Sequence, residues 1–509
     1  MTQKYDELRN RLATIHDLRM AQAILGWDQH TKMPPKGAEL RAEQLSTLDR
    51  FTHELFIDDE IGRLLDELSD YEESAGYDSD EASLIRIARR DYDKAKRVPA
   101  ELRAEMTRTG ANALPAWIEA RQKSDYSIFL PHLKKNVELT HRYIDCFEGM
   151  GYQSDYDVLL DDFDEGLTAD EVRTVFDELK RELVPLIAQI GENADRVDDS
   201  SLRGDFPIEQ QRAYSLKVLE RMGFDHESWR LDPTVHPFAM SAGTKDIRLT
   251  TRYDETDLAV SLFASIHEFG HGFYEAGVDP SYERTPLSSV TSMSLHESQS
   301  RMWENLVGRG LPMWRFFYPK LQETFPAQFG DVELETYYGA INKVEPSLIR
   351  VEADEATYNL HITLRFELEQ EMLSGELKLD DLPEAWNARM SEYLGIDVPD
   401  DSQGVLQDVH WSGGSIGYFP TYALGNLISA QIWEKITADL PSLESDFEQG
   451  EFGGLRDWLR DNLHRLGRKY TPGETLERVV GTPEIDPEPY VRYLRGKLAD
   501  IYGIATTAA

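Results

Sequence analysis

A chain of 509 residues with 40% hydrophobic and 10% aromatic content can fill a large core, which excludes a disordered protein. Its 93 acidic residues against 54 basic ones give a net charge of -39, a surface that repels nucleic acid and anionic membranes. No apolar run approaches the ~20 residues of a membrane span, the amino terminus carries no apolar leader, and the single cysteine, Cys146, forms no intrachain disulfide. A cytoplasmic protein without nucleic-acid or membrane partners is therefore expected. The acidic residues are spread along the whole chain and Lys is scarce beside Arg. That suits concentrated salt, where a Debye length of ~3 Å at 1 M screens self-repulsion, so a halophilic source is expected.

Leu8, Leu12, Ile15 and Leu18 recur at spacings of three and four and predict an amphipathic helix at the amino terminus. The same pattern predicts helices over 37–56, 79–96, 98–122, 126–149 and 169–195, the last marked by Val172, Val175, Phe176, Leu179 and Leu183. The clearest strand is 246–253, where Ile247, Leu249, Thr251 and Tyr253 alternate with Arg248, Thr250 and Arg252. It is expected to offer an edge to an extended peptide. Residues 257–277 read as one helix, with Thr256 as N-cap, Asp257 at the positive helix end and Gly277 closing it. Helices over 355–374 and 412–435 complete the pattern. Without internal repeats or a Pro- or Ser/Gly-rich linker, the chain is predicted to be one mainly α domain, 1–509, with a small β element beside the 257–277 helix.

That helix contains His267-Glu268-Phe269-Gly270-His271. Residues i and i+4 share a helix face, so both imidazoles can point at one metal ion. Glu268 is rotated ~100° from His267, where it can act on water instead of binding the ion. Ile266 and Phe269 are expected to anchor the opposite face in the core, and Gly270 and Gly272 to keep the helix narrow where another element approaches. A catalytic zinc takes three protein ligands and keeps a fourth position open. Glu275 lies ~12 Å along the helix axis from His267, too far to be the third. The segment from Thr291 is helical in pattern and carries Glu297, the predicted third ligand; Glu304, two turns on, reads as a solvated or partner-bound charge.

The blocks HEFGH and HESQS, at this separation, resemble the M32 metallocarboxypeptidases of the Taq type. The resemblance extends over residues 24–48, His236-Pro237-Phe238, Asp246 to Thr250, Ile349 to Asp354 and Gly404 to Trp411, in family order along nearly the whole chain. It implies a neurolysin-like helical zincin with a deep substrate groove. It also implies homodimers that release single residues from the carboxyl end of peptides with broad preference. Carried over, His267, His271 and Glu297 hold zinc, for which cobalt is expected to substitute, and Glu268 activates water. An exopeptidase needs a fixed cation for the terminal carboxylate, and Arg350 is the candidate, with an interhelical salt bridge as the alternative role. His410 and Tyr422 are candidates to face the scissile carbonyl, with Tyr418 as rival to Tyr422. His236 and Arg248 are weaker candidates for substrate contact. Two other activities stay open: an oligopeptidase of the same fold that cuts internally, and a metal-dead peptide-binding protein.

Overall fold

The computed structural model describes residues 2–504. Where apolar residues recur every three to four positions, the chain is helical and buries them: Leu8, Leu12 and Ile15 line one face of Thr2–Thr31. Ala169–Gly191 shows how local chemistry starts such a helix. The Thr168 hydroxyl accepts from Glu171 N, the Glu171 carboxylate accepts from Thr168 N, and Val172, Phe176, Leu179 and Leu183 are buried behind them. The chain is mainly helical, with one small sheet, and among the described residues no helix is long and apolar enough to cross a membrane.

Two compact units emerge. The first comprises Met1–Lys96, Asp199–Ile341 and Ile432–Glu484; the second comprises Arg97–Asp198, Asn342–Gln431 and Ile485–Ala509. The first unit holds the sheet. Its strands are β1 (Trp229–Pro233), β2 (Ala239–Ser241) and β3 (Ile247–Thr251), in the order β1-β3-β2. β3 pairs parallel with β1 and antiparallel with β2. This corrects the expectation of a peptide-binding edge at 246–253: β3 is the central strand, both its sides are taken, and it has no edge to offer. Ile247, Leu249, Thr250 and Thr251 are fully buried and only Arg248 is partly exposed, so the predicted alternation gives way to burial on both faces at the end of the strand.

Helix ends show where pattern reading falls short. The predicted 412–435 helix runs instead over Pro420–Asp439, preceded by a short 3-10 turn at His410–Gly413. Gly414 and Gly417 have φ of +75° and +91°, which break helical geometry, and Pro420 opens the new helix. Tyr126–Asp145 likewise stops short of 149, where Gly149 turns at φ +81°.

Candidate metal centre

The helix Leu258–Gly277 begins one residue later than the sequence suggested. Asp257, not Thr256, is its N-cap: the Asp257 carboxylate accepts from Ala259 N at 2.8 Å, while Thr256 donates its hydroxyl to Asp254. Ile266 and Phe269 are completely buried, as expected. The two glycines mark close approaches on different sides. A Cβ at Gly270 would stand 2.5 Å from Gln299 O and 2.6 Å from Ser300 Cα. One at Gly272 would stand 2.7 Å from Ile247 Cγ2 and 2.8 Å from Leu249 Cδ2. The helix is thus pinned between β3 and the helix Met293–Arg301, which Ser292 caps by accepting from Leu295 N.

That close approach brings Glu297 to the histidines. Its Oε2 lies 3.4 Å from His271 Nε2 and 3.7 Å from His267 Nε2, and one ligand atom from each of the three residues falls within 4.8 Å of the others. The other ring nitrogen of His267 is used elsewhere: Nδ1 meets Glu304 Oε2 at 2.8 Å, which fixes the ring with Nε2 toward Glu297. Glu304 sits in a π-helical turn, Met302–Val307, that continues the Met293–Arg301 helix. Glu275, read as too distant to be a ligand, pairs with His296 Nε2 at 3.0 Å, and the His296 ring stacks on His271 with centroids 4.2 Å apart.

Electrostatics sharpen the donor set. Burial opposes ionisation of Glu297, but Arg301 and the two histidines outweigh it and hold the carboxyl well below its usual range. Burial, with His296 beside it, brings His271 down to about 3, so its imidazole is neutral at ordinary pH. Burial pushes Glu268 up to about 7 against the pull of His267, and Glu297, Glu304 and Glu275 push the same way. Among the described residues no hydrogen bond restrains the Glu268 carboxylate, which is only 5% exposed. Two imidazole nitrogens and one ionised carboxylate oxygen facing a common point fit a divalent ion that keeps a position open.

The remaining predicted residues fall in two places. Arg248 in β3 donates Nε and Nη2 to the two oxygens of Asp246, each at 2.8 Å, with its guanidinium carbon 4.6 Å from the Trp27 ring centroid. His236 is exposed, between β1 and β2. Arg350, His410 and Tyr422 come together in the second unit around Asp408. Arg350 is buried and donates Nε and Nη2 to Asp408 Oδ1 at 3.1 and 2.7 Å, and Nη1 to the Tyr358 hydroxyl at 2.8 Å. The ion pair weighed as its alternative role is therefore present. Arg365 reaches the other oxygen of Asp408 through Nε at 2.7 Å. The two guanidinium groups overcome burial and hold the Asp408 carboxyl far below its usual range. His410 Nε2 and the Tyr422 hydroxyl are 3.2 Å apart, while Tyr418 stacks on the His410 ring. Buried Glu369 braces this loop, accepting from Trp411 Nε1 at 2.7 Å, Gly417 N at 3.0 Å and the Tyr156 hydroxyl at 2.6 Å.

Sequence reasoning missed Arg301, Asp408, Arg365 and Glu369 and underrated Glu304. Only Arg301 had a local signal, its i+4 spacing from Glu297.

A mainly helical chain whose central helix pair presents two imidazoles and a carboxylate to one point, with an unrestrained glutamate alongside, belongs to the metallopeptidase class. Comparison with known proteins narrows this. The model of the Carboxypeptidase Taq (M32) metallopeptidase family matches residues 7–498, and the chain belongs to that family. It is 42% identical to thermostable carboxypeptidase 1 of Thermus thermophilus, over 94% of this chain and 95% of that protein. It is 39% identical to carboxypeptidase 1 of Bacillus subtilis, over 97% of this chain and 98% of the other. The solved M32 carboxypeptidase of Deinococcus radiodurans superposes with a TM-score of 0.94 at 40% identity, over 99% of this chain and all of that one.

Proposed function

We propose that this metal-dependent carboxypeptidase releases single residues from the free carboxyl end of peptides, with broad preference, at a zinc site of the HExxH type. The observation that carries the reading is the convergence of His267, His271 and Glu297, one ligand atom of each within 4.8 Å of the others, with Glu268 one residue from the first of them. Zinc is chosen over other divalent ions because two imidazoles and one carboxylate are its catalytic ligand chemistry, and cobalt fits the same donors. Zinc, when bound, supplies Lewis acidity toward the scissile carbonyl and acidifies the attacking water.

In this reading Glu268 takes the proton of the attacking water and hands it to the leaving amine. Arg350, fixed by Asp408 through Nε and Nη2 and by Tyr358 through Nη1, selects the terminal carboxylate with the N–H groups those partners leave over. His410 and Tyr422 steady the oxygen of the scissile carbonyl as charge develops. His236 and Arg248 brace or contact the peptide. The same reading treats residues 1–509 as one peptidase domain of the neurolysin-like kind, working as a cytoplasmic homodimer.

An amino-blocked dipeptide tests it. The terminal amino acid should be released, release should stop with chelator, and zinc or cobalt should restore it. Amidation of the carboxyl end should abolish release; amidated peptides cut internally at the parent rate would establish an oligopeptidase instead. The acid-rich surface adds a second expectation. With a net charge of -39, the melting temperature should rise as KCl goes from about 0.1 M to about 1 M, because the Debye length contracts from ~10 to ~3 Å. A melting temperature that does not rise would remove the salt-adaptation reading and leave the enzymatic one untouched.

A further inference from the structure

Glu297 has two oxygens, and they do different things. Oε2 faces the two histidines and accepts from Ser300 Oγ at 3.1 Å. Oε1 accepts from Arg301 Nε at 2.7 Å. The same guanidinium turns Nη1 toward Glu304 Oε2 at 3.2 Å, and that Glu304 oxygen is the one 2.8 Å from His267 Nδ1. One cation therefore touches the carboxylate of one ligand and the carboxylate that orients another. All three side chains are nearly buried, at 14% for Arg301, 8% for Glu297 and 14% for Glu304. Arg309 stands behind, with Nη2 3.7 Å from Glu304 Oε1 and its guanidinium carbon 3.9 Å from the Phe263 ring centroid.

The backbone makes this reach possible. Arg301 is the last residue of Met293–Arg301, four after Glu297, so the two side chains lie on one face. From Met302 the turn widens to π geometry, which presents Glu304, three residues on, to the same guanidinium. Arginine is the residue this arrangement asks for. Its planar group offers Nε and Nη1 at fixed separation to two different acceptors, where an ammonium is a single point of charge.

We propose that Arg301 is a positioning residue for the metal: it occupies Oε1 so that Glu297 binds the ion through Oε2 alone, and it couples Glu297 to the Glu304–His267 pair. A one-oxygen glutamate leaves room at the ion for both the attacking water and the scissile carbonyl; a two-oxygen glutamate fills one of those places. The proposal rests on the metal-site reading above, and its test separates the two.

Chelator-stripped protein is titrated with cobalt(II) alone and its visible absorption recorded, and kcat and KM for an amino-blocked dipeptide are measured on the metal-loaded protein. Wild-type protein should give the intense bands of a low-coordinate site. Arg301→Gln should give weaker, shifted bands as the second Glu297 oxygen binds, and kcat should fall about 10- to 100-fold with little change in KM. Arg301→Lys, which keeps the charge but not the fork, should recover part of both and serves as the decisive variant if the Gln protein does not fold. Cobalt bands and kcat matching wild type in a folded variant would overturn the proposal. Failure of wild-type protein to bind cobalt at all would overturn the metal-site reading itself.

Discussion

Glu268→Gln is expected to keep its full complement of zinc and to lose about 10²–10⁴ in kcat, the usual share of a positioned general base. Glutamine matches the shape of the side chain and fits the same nearly closed site, so neither packing nor the ligands should move. What it lacks is an oxygen able to take a proton. Glu268 is suited to that task by place and by basicity. It follows His267 directly on the helix, so its carboxylate is turned away from the ligand nitrogens while staying beside them. Burial in the company of Glu297, Glu304 and Glu275 pushes it up to about 7, which makes it a far better proton acceptor than a surface glutamate. Metal content by atomic emission and kcat on an amino-blocked dipeptide check the two halves of the expectation. Full zinc with wild-type kcat would move the base elsewhere, and lost zinc would mean that Glu268 supports the ligands.

The parts of this site that lie on one helix were legible in the sequence; of the parts that need two elements to meet, only Glu297 was named. His267, Glu268 and His271 follow from 3.6-residue periodicity alone, and the need for Gly270 and Gly272 follows from a helix that something must approach. The approaching elements could be named only in outline. That β3 is central, with Trp229–Pro233 on one side and Ala239–Ser241 on the other, depends on pairing that its own alternation of residues cannot express. The role of Glu304 was hidden because seven residues of regular helix from Glu297 imply a charge two turns away, whereas a π turn changes the angle at which it emerges. Arg350 and Asp408 are 58 positions apart, and no spacing rule joins them. Their ion pair could be weighed as one alternative among many acids, but its partner could not be chosen.

Gly270→Ala is expected to destabilise the protein by about 1–3 kcal/mol and to weaken zinc binding roughly 10- to 100-fold, although alanine is the better helix former. Propensity alone predicts a gain of ~1 kcal/mol for this change within a helix. That gain should appear at Gly496, an exposed position in Glu488–Tyr502 where an added Cβ meets nothing within 4 Å. At Gly270 the added carbon would meet Gln299 O at 2.5 Å and Ser300 Cα at 2.6 Å. Both are backbone atoms, so no side chain can rotate away and one helix must move from the other. The contact lies between His267 and His271 on one side, and two to three residues past Glu297 on the other. Any separation there therefore opens the ligand set itself, where Oε2 stands only 3.4 and 3.7 Å from the two imidazole nitrogens. Chemical denaturation and zinc titration of Gly270→Ala and Gly496→Ala, side by side with wild type, measure the contrast. A Gly270→Ala protein as stable as Gly496→Ala, with unchanged zinc affinity, would show that the helices can part without cost and that close packing is not what assembles the centre.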